Sequence, residues 1–246
     1  MKKITMYEVT HKDRIYIPKD RKAIFVGHGL NGSNYLRDNT GDNIAEKNEN
    51  YCELTALYWI WKNDSESENV SIEHYRRFFM NPVFPRICSS KKILNYLQQY
   101  DVVATRLYTF RETVRSYYAE KHVHSDLDII GQIIDGKCPE YLDAYDKVIN
   151  GTTSCMCNMA AMKKELFDRY CEWLFGILFE LEKMIDISER DAYQKRVYGF
   201  LSERLFNVWL EKNNLKVKHV PIYYLEDTKI VSVLKSAKHM KEWSIL

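Results

Sequence analysis

A basic cluster, His74-Tyr75-Arg76-Arg77, follows residues 70–73, which are predicted to form a brief β-strand. Arginine presents a fork of N–H donors that pairs with two phosphate oxygens at once. Neighbouring side chains on an extended backbone point to opposite faces, so one of Arg76 and Arg77 is expected to point inward and the other outward. The cluster predicts a site for a phosphorylated ligand; a solvent-exposed arginine pair is the alternative that the spacing leaves open.

A candidate general base lies within residues 188–212, which the apolar periodicity predicts to be one helix. The predicted buried stripe of this helix consists of Tyr193, Val197, Leu201, Leu205 and Val208. Arg204 falls at the edge of the stripe and therefore needs a partner or a ligand. Arg196, Glu203 and Asn207 form an adjacent polar strip. A carboxylate in this position is able to take a proton from a substrate hydroxyl, and a structural strip of ion pairs is the alternative.

Two further groups of polar residues are weaker candidates. The run Asp38-Asn39-Thr40-Gly41-Asp42-Asn43 offers short polar groups for sugar or ribose hydroxyls, although it is also typical of an ordinary polar turn. It lacks the terminal glutamate of a calcium loop. His122, His124, Asp126 and Asp128 have the spacing of metal ligands, but no separate third ligand accompanies them, and the start of a helix explains them equally well.

Several well-known sequence patterns are missing. The chain contains no G-x-x-x-x-G-K-[ST], G-x-G-x-x-G, G-x-S-x-G or H-E-x-x-H motif, which removes the usual support for nucleotide triphosphatase, dinucleotide-binding, hydrolase and zinc-protease functions. No Asp-x-Asp follows an apolar strand, although many sugar-nucleotide transferases bind a metal through that element. The six cysteines include no C-x-x-C pair, so no zinc site is expected.

Composition narrows the classes of protein. The 246 residues are 46% hydrophobic and 28% charged, as in a soluble globular protein, and the absence of linkers or repeats predicts a single domain over residues 1–246. A net charge of +2 gives no reason to expect nucleic-acid binding, and a nuclease that uses its arginine clusters is disfavoured on that ground. No signal-peptide pattern and no apolar run of about 20 residues is present, which predicts a cytoplasmic protein.

Strands alternate with helices along the chain, which predicts an α/β fold with a mostly parallel central sheet flanked by helices. Predicted strands cover residues 3–9, 23–26, 70–73, 101–104, 153–162 and 215–224. Predicted helices cover residues 51–62, 91–99, 113–120, 126–134, 139–149, 164–184 and 188–212, and residues 31–50 are predicted to be a long loop. Ligands bind beyond the carboxyl ends of the strands in such folds. The polar residues that follow strands are His11, Lys12, His28, the 74–77 cluster, Arg106 and Asn158.

Three segments, residues 51–63, 73–79 and 200–209, resemble a bacterial family associated with capsular and exopolysaccharide synthesis. One branch of that family is the galactofuranosyltransferase domain of a bifunctional O-antigen galactan polymerase. Shorter matches occur at residues 10–12, 40–44, 139–142 and 158–159, so the resemblance covers roughly residues 3–225. The family pattern has aromatic residues where this chain has Cys157 and Ala160, which leaves the identity of the sugar open.

The resemblance implies a GT-A-like fold and transfer of a sugar from a UDP-sugar donor, with inversion at the anomeric carbon, to a lipid-linked or oligosaccharide acceptor of a bacterial surface glycan. His74, Arg76 and Arg77 then occupy the place of the metal-binding Asp-x-Asp, and we expect them to neutralise the leaving diphosphate without a metal or another cofactor. Glu203 is the expected general base, with Asp42 in reserve. A non-catalytic subunit that binds sugars or nucleotides in a polysaccharide assembly complex is the alternative.

The remaining roles are assigned on the same basis. Further donor contacts are expected from His11, Lys12, Gly27, His28, Asp42, Asn43, Asn158, Arg196 and Arg204. Acceptor contacts are expected from His124 and Asp126. Residues 229–246 form a basic tail with interspersed apolar residues, which is typical of a segment that lies on an anionic membrane surface; a frayed basic tail is the alternative.

Overall fold

The computed structural model describes residues 3–12, 17–27, 36–226 and 228–242, with residues 239–242 described by their backbone alone. The described strands are β1 (Ile4–Thr10), β2 (Lys22–Phe25), β3 (Leu36–Arg37), β4 (Asn69–His74), β5 (Arg77–Phe79), β6 (Val102–Thr105), β7 (Leu107–Thr109), β8 (Thr153–Cys155), β9 (Ala160–Lys163), β10 (Val217–Val220) and β11 (Ile222–Tyr224). The described α-helices are α1 (Asn48–Tyr51), α2 (Leu54–Asn63), α3 (Ser90–Leu97), α4 (Val114–Lys121), α5 (Ser125–Lys137), α6 (Leu142–Ile149), α7 (Lys164–Met184), α8 (Val197–Lys212) and α9 (Lys229–Glu242).

The central sheet has the order β10-β6-β9-β4-β1-β2-β3, and β5 with β11 extends it from the end of β4. Strands β4, β1, β2 and β3 are parallel, as are β10 and β6, whereas β9 runs antiparallel between these two groups. Val9 of β1 pairs with His74 of β4 and with Ile24 of β2. The carboxyl ends of these three strands therefore meet at one edge of the sheet. The predicted α/β class with a mostly parallel sheet is confirmed.

Both faces of the sheet are covered, which explains why its strands are apolar on both sides. Tyr7 and Val9 of β1 point into the main core with helices α2, α7 and α8, while Met6, which precedes Tyr7, points to a second cluster with Ile93 of α3. This alternation follows from the two-residue period of a strand. Across the described residues, no helix combines the length and the apolar composition needed to cross a lipid bilayer.

Most predicted helices are confirmed within one or a few residues, and 164–184 matches α7. Two segments differ because the backbone turns where side-chain periodicity gives no sign of it. Residues 51–62 are interrupted at Cys52, whose φ of 52° ends α1 before α2 begins. Residues 153–162 form two strands, β8 and β9, separated by a turn in which Cys157 and Asn158 have φ of 82° and 46°.

Three other boundaries also differ. The helix predicted from residue 188 begins at Val197, because Asp186 and Asp191 accept hydrogen bonds from Ser188 and Gln194 in local turns that precede it. Tyr193 therefore lies outside the helix and is 50% exposed rather than part of its buried stripe. The region predicted as a long loop contains β3, a 3-10 turn and α1, and residues 215–224 form two strands. The break between those two strands lies at Pro221, which has no N–H for a sheet ladder.

Candidate functional site

A cavity of ≈ 560 Å³ opens at the edge of the sheet where β1, β2 and β4 end. Its walls are formed by the ends of these strands and by β5. Residues of α1, the residue that precedes α2, the β8–β9 turn and the start of α8 complete them. The lining residues are Val9, Thr10, His11, Val26, Asn48, Glu49, Cys52, Glu53, His74, Tyr75, Arg77, Cys157, Arg196, Gly199, Phe200 and Glu203. The position agrees with the rule that ligands of open α/β sheets bind beyond the carboxyl ends of the strands.

Glu203 of α8 presents a carboxylate to this cavity. Its Oε1 accepts a hydrogen bond from the backbone N–H of Cys157 at 2.8 Å, and its Oε2 accepts one from Nη1 of Arg204 at 2.9 Å. The side chain is 17% exposed. Burial raises the pKa of Glu203, the charge of Arg204 opposes that rise, and the nearby carboxylate of Glu53 adds to it. The site therefore holds a carboxylate in a fixed orientation with a proton affinity above that of an ordinary glutamate.

Glu53 is a second carboxylate in the same cavity, and sequence analysis gave it no functional role. It precedes the first residue of α2, and its Oε1 accepts a hydrogen bond from Nδ2 of Asn158 at 2.7 Å. The same Nδ2 also donates to the carbonyl of Gly199 at 3.2 Å. Asn158 thus ties α2 to α8 across the back of the cavity. The sequence does offer one sign that Glu53 has a function, which is its position as a charged residue at the start of a mostly apolar helix.

Arg77 of β5 supplies positive charge to the cavity wall. Within the described residues its guanidinium forms no hydrogen bond and no ion pair, yet its charge acts on the pKa of both Glu203 and Cys157. Arg76 points the other way, is 53% exposed, and donates from Nη2 to Oε2 of Glu226 at 2.9 Å. The structure therefore shows the alternation that the extended backbone predicts, with Arg77 facing the cavity and Arg76 facing solvent.

Two histidines line the cavity without adding positive charge at neutral pH. Burial lowers the pKa of His74, with the Glu53 carboxylate opposing and Arg77 contributing to the decrease. Burial also lowers the pKa of His11, assisted by Lys12 and Arg196. Nε2 of His74 is buried and has no hydrogen-bond partner among the described residues. We had expected His74 to act as a cation; its surroundings instead favour a neutral imidazole that exchanges hydrogen bonds with a ligand.

Arg196, the residue before α8, is the other arginine of the cavity wall. Its Nε donates to Sγ of Cys52 at 3.1 Å, and its guanidinium lies 5.5 Å from the ring centre of Phe200. The side chain is exposed and so remains open to a ligand. Arg77 and Arg196 together give the cavity two cationic groups.

Strained backbone surrounds the site. Of the non-glycine residues with positive φ in the described part of the chain, Cys52 and Cys157 line the cavity, Asn158 bonds to the lining residue Glu53, and only Asn214 lies elsewhere. Such conformations cost about 1–3 kcal/mol each and are concentrated at functional sites. Gly27 follows Val26, which lines the cavity after the end of β2. Its φ is 77°, and a Cβ added there would lie 2.6 Å from Oδ1 of Asn48. A larger residue at position 27 would displace this part of the wall.

Asp42 and Asn43 lie away from the cavity. Oδ1 of Asp42 accepts from the hydroxyl of Tyr58 at 3.1 Å, and its carbonyl accepts from Nδ2 of Asn63 at 2.8 Å. Asn43 completes the same turn through the carbonyl of Gly41. These contacts place the turn beside the carboxyl end of α2, about 15 Å along the helix axis from the cavity at its amino end. The geometry therefore disfavours Asp42 as a reserve base and both residues as donor contacts.

His124 and Asp126 also fall outside the cavity lining. Asp126 is buried and receives two hydrogen bonds from Arg190, Nη1 to Oδ2 at 2.8 Å and Nη2 to Oδ1 at 2.7 Å. This pair fastens α5 to the segment before α8, which is a structural role rather than the predicted acceptor contact. His124 is exposed at the start of α5.

Arg204 and Lys12 were also predicted to contact the donor, but neither lines the cavity. Arg204 is buried behind Glu203, where it donates to the carbonyl of Phe200 at 2.9 Å and lies over the ring of Tyr118. It therefore supports the carboxylate instead of lining the cavity. Lys12 is exposed beyond the end of β1, and His28 lies outside the described residues. No group of three or more His, Cys, Asp or Glu side chains in the described parts of the chain is arranged to hold a metal ion.

Comparison with known proteins adds to this geometry. The model of a family described as a domain of unknown function (DUF4422) matches residues 5–214. The apo structure of WbbM, a bifunctional glycosyltransferase, is similar with a TM-score of 0.85 and 28% sequence identity. The similarity covers 92% of this chain and 46% of the WbbM chain, so this chain spans about half the length of that protein. No curated protein gave a significant match in sequence.

Proposed function

The chain belongs to the DUF4422 family, and on that premise we propose that it is a glycosyltransferase that moves a sugar from a UDP-sugar donor to an acceptor hydroxyl of a bacterial surface glycan. The observation that carries the proposal is the pairing, in one cavity, of a carboxylate with a raised pKa, Glu203, and a guanidinium without a protein partner in the described chain, Arg77. The similarity to a bifunctional glycosyltransferase over 92% of the chain supports the same class of reaction.

We assign Arg77 and Arg196 to the donor diphosphate. As the bond between the anomeric carbon and the diphosphate breaks, negative charge grows on the leaving oxygen, and fixed cationic donors stabilise that charge. Arg77 and Arg196 supply such donors, and the neutral imidazoles of His11 and His74 add hydrogen bonds. Arg76 has no direct part in this proposal because it faces Glu226 in solvent.

We assign Glu203 as the general base. A base must accept a proton near neutral pH while its position stays fixed, and a raised pKa increases its basicity. The N–H of Cys157 and the guanidinium of Arg204 occupy one acceptor position on each carboxylate oxygen, which leaves further lone pairs for the acceptor hydroxyl. In-line attack opposite the leaving group would invert the anomeric carbon. Cys157, beside Glu203 in the wall, is placed to influence which sugar fits.

The test is release of UDP from a panel of UDP-hexoses, UDP-galactofuranose included, in the presence and absence of oligosaccharide acceptors. We expect slow hydrolysis of one donor without an acceptor and faster release with the correct acceptor. Binding of UDP-sugars without turnover under every condition would support the alternative of a non-catalytic subunit. If calorimetry detects no binding of any UDP-sugar, the proposed donor class is excluded.

The same assay tests whether the cationic side chains suffice without a metal. If Arg77 and Arg196 provide the stabilisation, EDTA leaves the turnover unchanged and added manganese gives no increase. Loss of turnover in EDTA that manganese restores would contradict this part of the proposal and would leave the transferase assignment intact.

A further inference from the structure

A second surface of the molecule combines exposed apolar side chains with positive charge. It consists of the loop at residues 81–87, which follows β5, and of the outer face of α9; we call it the β5–α9 edge. Both parts rest on one small hydrophobic cluster of Phe78, Met80 and Tyr223. Ile87 at the end of the loop and Val233 of α9 both pack against that cluster, so the two parts are held next to the same strands.

The outer side of the edge is apolar to an unusual degree. Val83 and Phe84 in the loop are 67% and 60% exposed, and Ile230 and Leu234, one helical turn apart on α9, are 73% and 65% exposed. Helix α9 instead buries two serines. Oγ of Ser232 accepts from the backbone N–H of Glu226 at 2.8 Å, and Oγ of Ser236 accepts from that of Tyr224 at 2.9 Å. The helix thus turns two hydroxyls and Val233 inward but leaves Ile230 and Leu234 largely exposed, whereas a helix on a protein core usually buries most of its aliphatic side chains.

The charge around these apolar residues is positive. Residues 74–100 contain five arginines and lysines and no Asp or Glu, and residues 229–241 contain four lysines and no Asp or Glu. A hollow of ≈ 370 Å³ beside the loop is lined by Arg86, Lys91 and Lys92 together with uncharged residues. Lys235 and Arg76 both pair with the carboxylate of Glu226. Among the described residues, Arg86, Lys91 and Lys92 form no ion pair, and the nearby carboxylate of Asp20 is paired with Arg21.

From this arrangement we infer that the β5–α9 edge docks on the surface of an anionic lipid bilayer, with the apolar side chains inserted between headgroups and the hollow receiving a lipid phosphate. Exposed aliphatic and aromatic groups in segments rich in lysine and arginine are the combination that binds such a surface. A protein partner would need acidic groups to match the same cations, and nothing else in the pattern favours one.

The position of the edge relates it to the cavity. Strand β5 starts at Arg77 in the cavity wall and ends at Phe79 next to the loop, a span of about 7 Å at the usual rise per residue. A docked molecule would hold the cavity close to the headgroups, where a lipid-linked acceptor would present its sugar. The statement about a lipid-linked acceptor rests on the proposed function, whereas the inferred binding to lipid does not.

Flotation with vesicles tests the inference without any substrate. Vesicles of phosphatidylcholine alone are compared with vesicles that also contain phosphatidylglycerol, at low and at high salt. We expect binding to the anionic vesicles only, weaker at high salt, and reduced about tenfold or more by the double variants V83S/F84S and I230S/L234S and by K91E/K92E. M184S is the matched control, because Met184 is 48% exposed on α7 and its loss should leave binding unchanged.

Circular dichroism and release of UDP, measured on the same variants, show whether each still folds and reacts. No binding by the unaltered protein, or equal binding by the edge variants and M184S, would overturn the inference. A dimer in size-exclusion chromatography that V83S/F84S dissociates would also overturn it, because the edge would then bind a second copy of the chain.

Discussion

The backbone N–H of Cys157 donates a hydrogen bond to Oε1 of Glu203 at 2.8 Å, and this bond links the β8–β9 turn to helix α8. One turn further along α8, Asn207 accepts from the N–H of Cys155 at 2.9 Å and donates to the carbonyl of the same residue at 3.0 Å. The two side chains clamp residues 155–157 against the helix. The strained turn and the carboxylate therefore fix each other's positions before any substrate binds.

Replacing Glu203 with glutamine should reduce kcat about 10²- to 10⁴-fold, which is the usual contribution of a positioned base. The amide oxygen still accepts from Cys157, so affinity for UDP measured by calorimetry should change little. E211Q is the matched control on the same helix, since Glu211 forms only a surface ion pair with Lys147. Equal loss of UDP binding in E203Q would indicate a structural role.

The pH profile of the unaltered enzyme gives a second test of the same residue. A base works only when it is deprotonated, and burial raises the pKa of Glu203. The rate should therefore fall on acidification, with its midpoint above the ordinary glutamate pKa of about 4.3. If E203Q retains turnover, Glu49 and Glu53 are the other carboxylates that line the cavity, and E49Q and E53Q would show which of them acts as the base.

Removing the guanidinium of Arg77 should weaken UDP binding roughly 10- to 100-fold, because hydrogen bonds to charged groups contribute about 1.5–3 kcal/mol. Arg76 provides an internal control one residue away, since R76A removes an exposed ion pair with Glu226. Calorimetry with UDP should distinguish R77A from R76A. Similar affinities for the two variants would contradict the assignment of Arg77 to the diphosphate.

A buried ion pair positions the basic cluster. Glu73, the residue before His74, receives hydrogen bonds from Nε and Nη2 of Arg21 at 2.7 and 3.1 Å and from the backbone N–H of Phe79 at 2.8 Å. Replacing Arg21 with methionine would leave a buried carboxylate without its cation, at a cost of about 3–5 kcal/mol. Urea unfolding should show this loss. K183M, which breaks an exposed pair with Glu180, should cost about 0–1 kcal/mol.

The stability of the fold should depend on the charge of His122. Burial lowers the pKa of this histidine to about 4, with Arg204 adding to the decrease and the Gln194 side chain opposing it. Because the folded-state pKa lies below the unfolded value of about 6.5, the stabilising neutral form is fully present above 6.5 and its benefit is lost as pH falls towards 4. The raised pKa values of Glu73 and Glu203 act in the opposite direction at acidic pH.

The variant H122F isolates this contribution, since phenylalanine can keep the stacking on Phe200 at a ring distance of 4.1 Å. Urea unfolding between pH 7 and pH 5, conditions on either side of the ordinary histidine pKa of about 6.5, should show a smaller loss of stability in H122F than in the unaltered protein. Parallel pH dependences would show that His122 does not titrate in this way.

The sequence predicted much of the fold because its signals are local. Apolar periodicity over a few turns located α7 within its observed bounds, and alternation along β1 follows from the pleat. The opposite directions of the Arg76 and Arg77 side chains are also a local property, since the two-residue period of an extended backbone needs no tertiary information. Glu203 was identified because its neighbours on the polar strip of α8 follow from the helical repeat.

What lies far apart along the chain was decided by tertiary structure alone. Asp126 meets Arg190 across 64 residues, and Asn158 meets Glu53 across 105. The first pairing removes Asp126 from consideration as a surface ligand, and the second brings an unpredicted carboxylate to the cavity. No local period encodes which distant partner a polar side chain will find, because that depends on how the sheet orders its strands.

The basic cluster shows both contributions. The sequence by itself determined that two arginines follow a strand and face opposite ways. Only the packed molecule decided that Glu226 pairs with Arg76, that Arg77 faces the cavity, and that burial lowers the pKa of His74. The physical reason is that the charge state and the partners of a side chain are set by its surroundings in three dimensions, whereas its direction on a strand is set by the backbone.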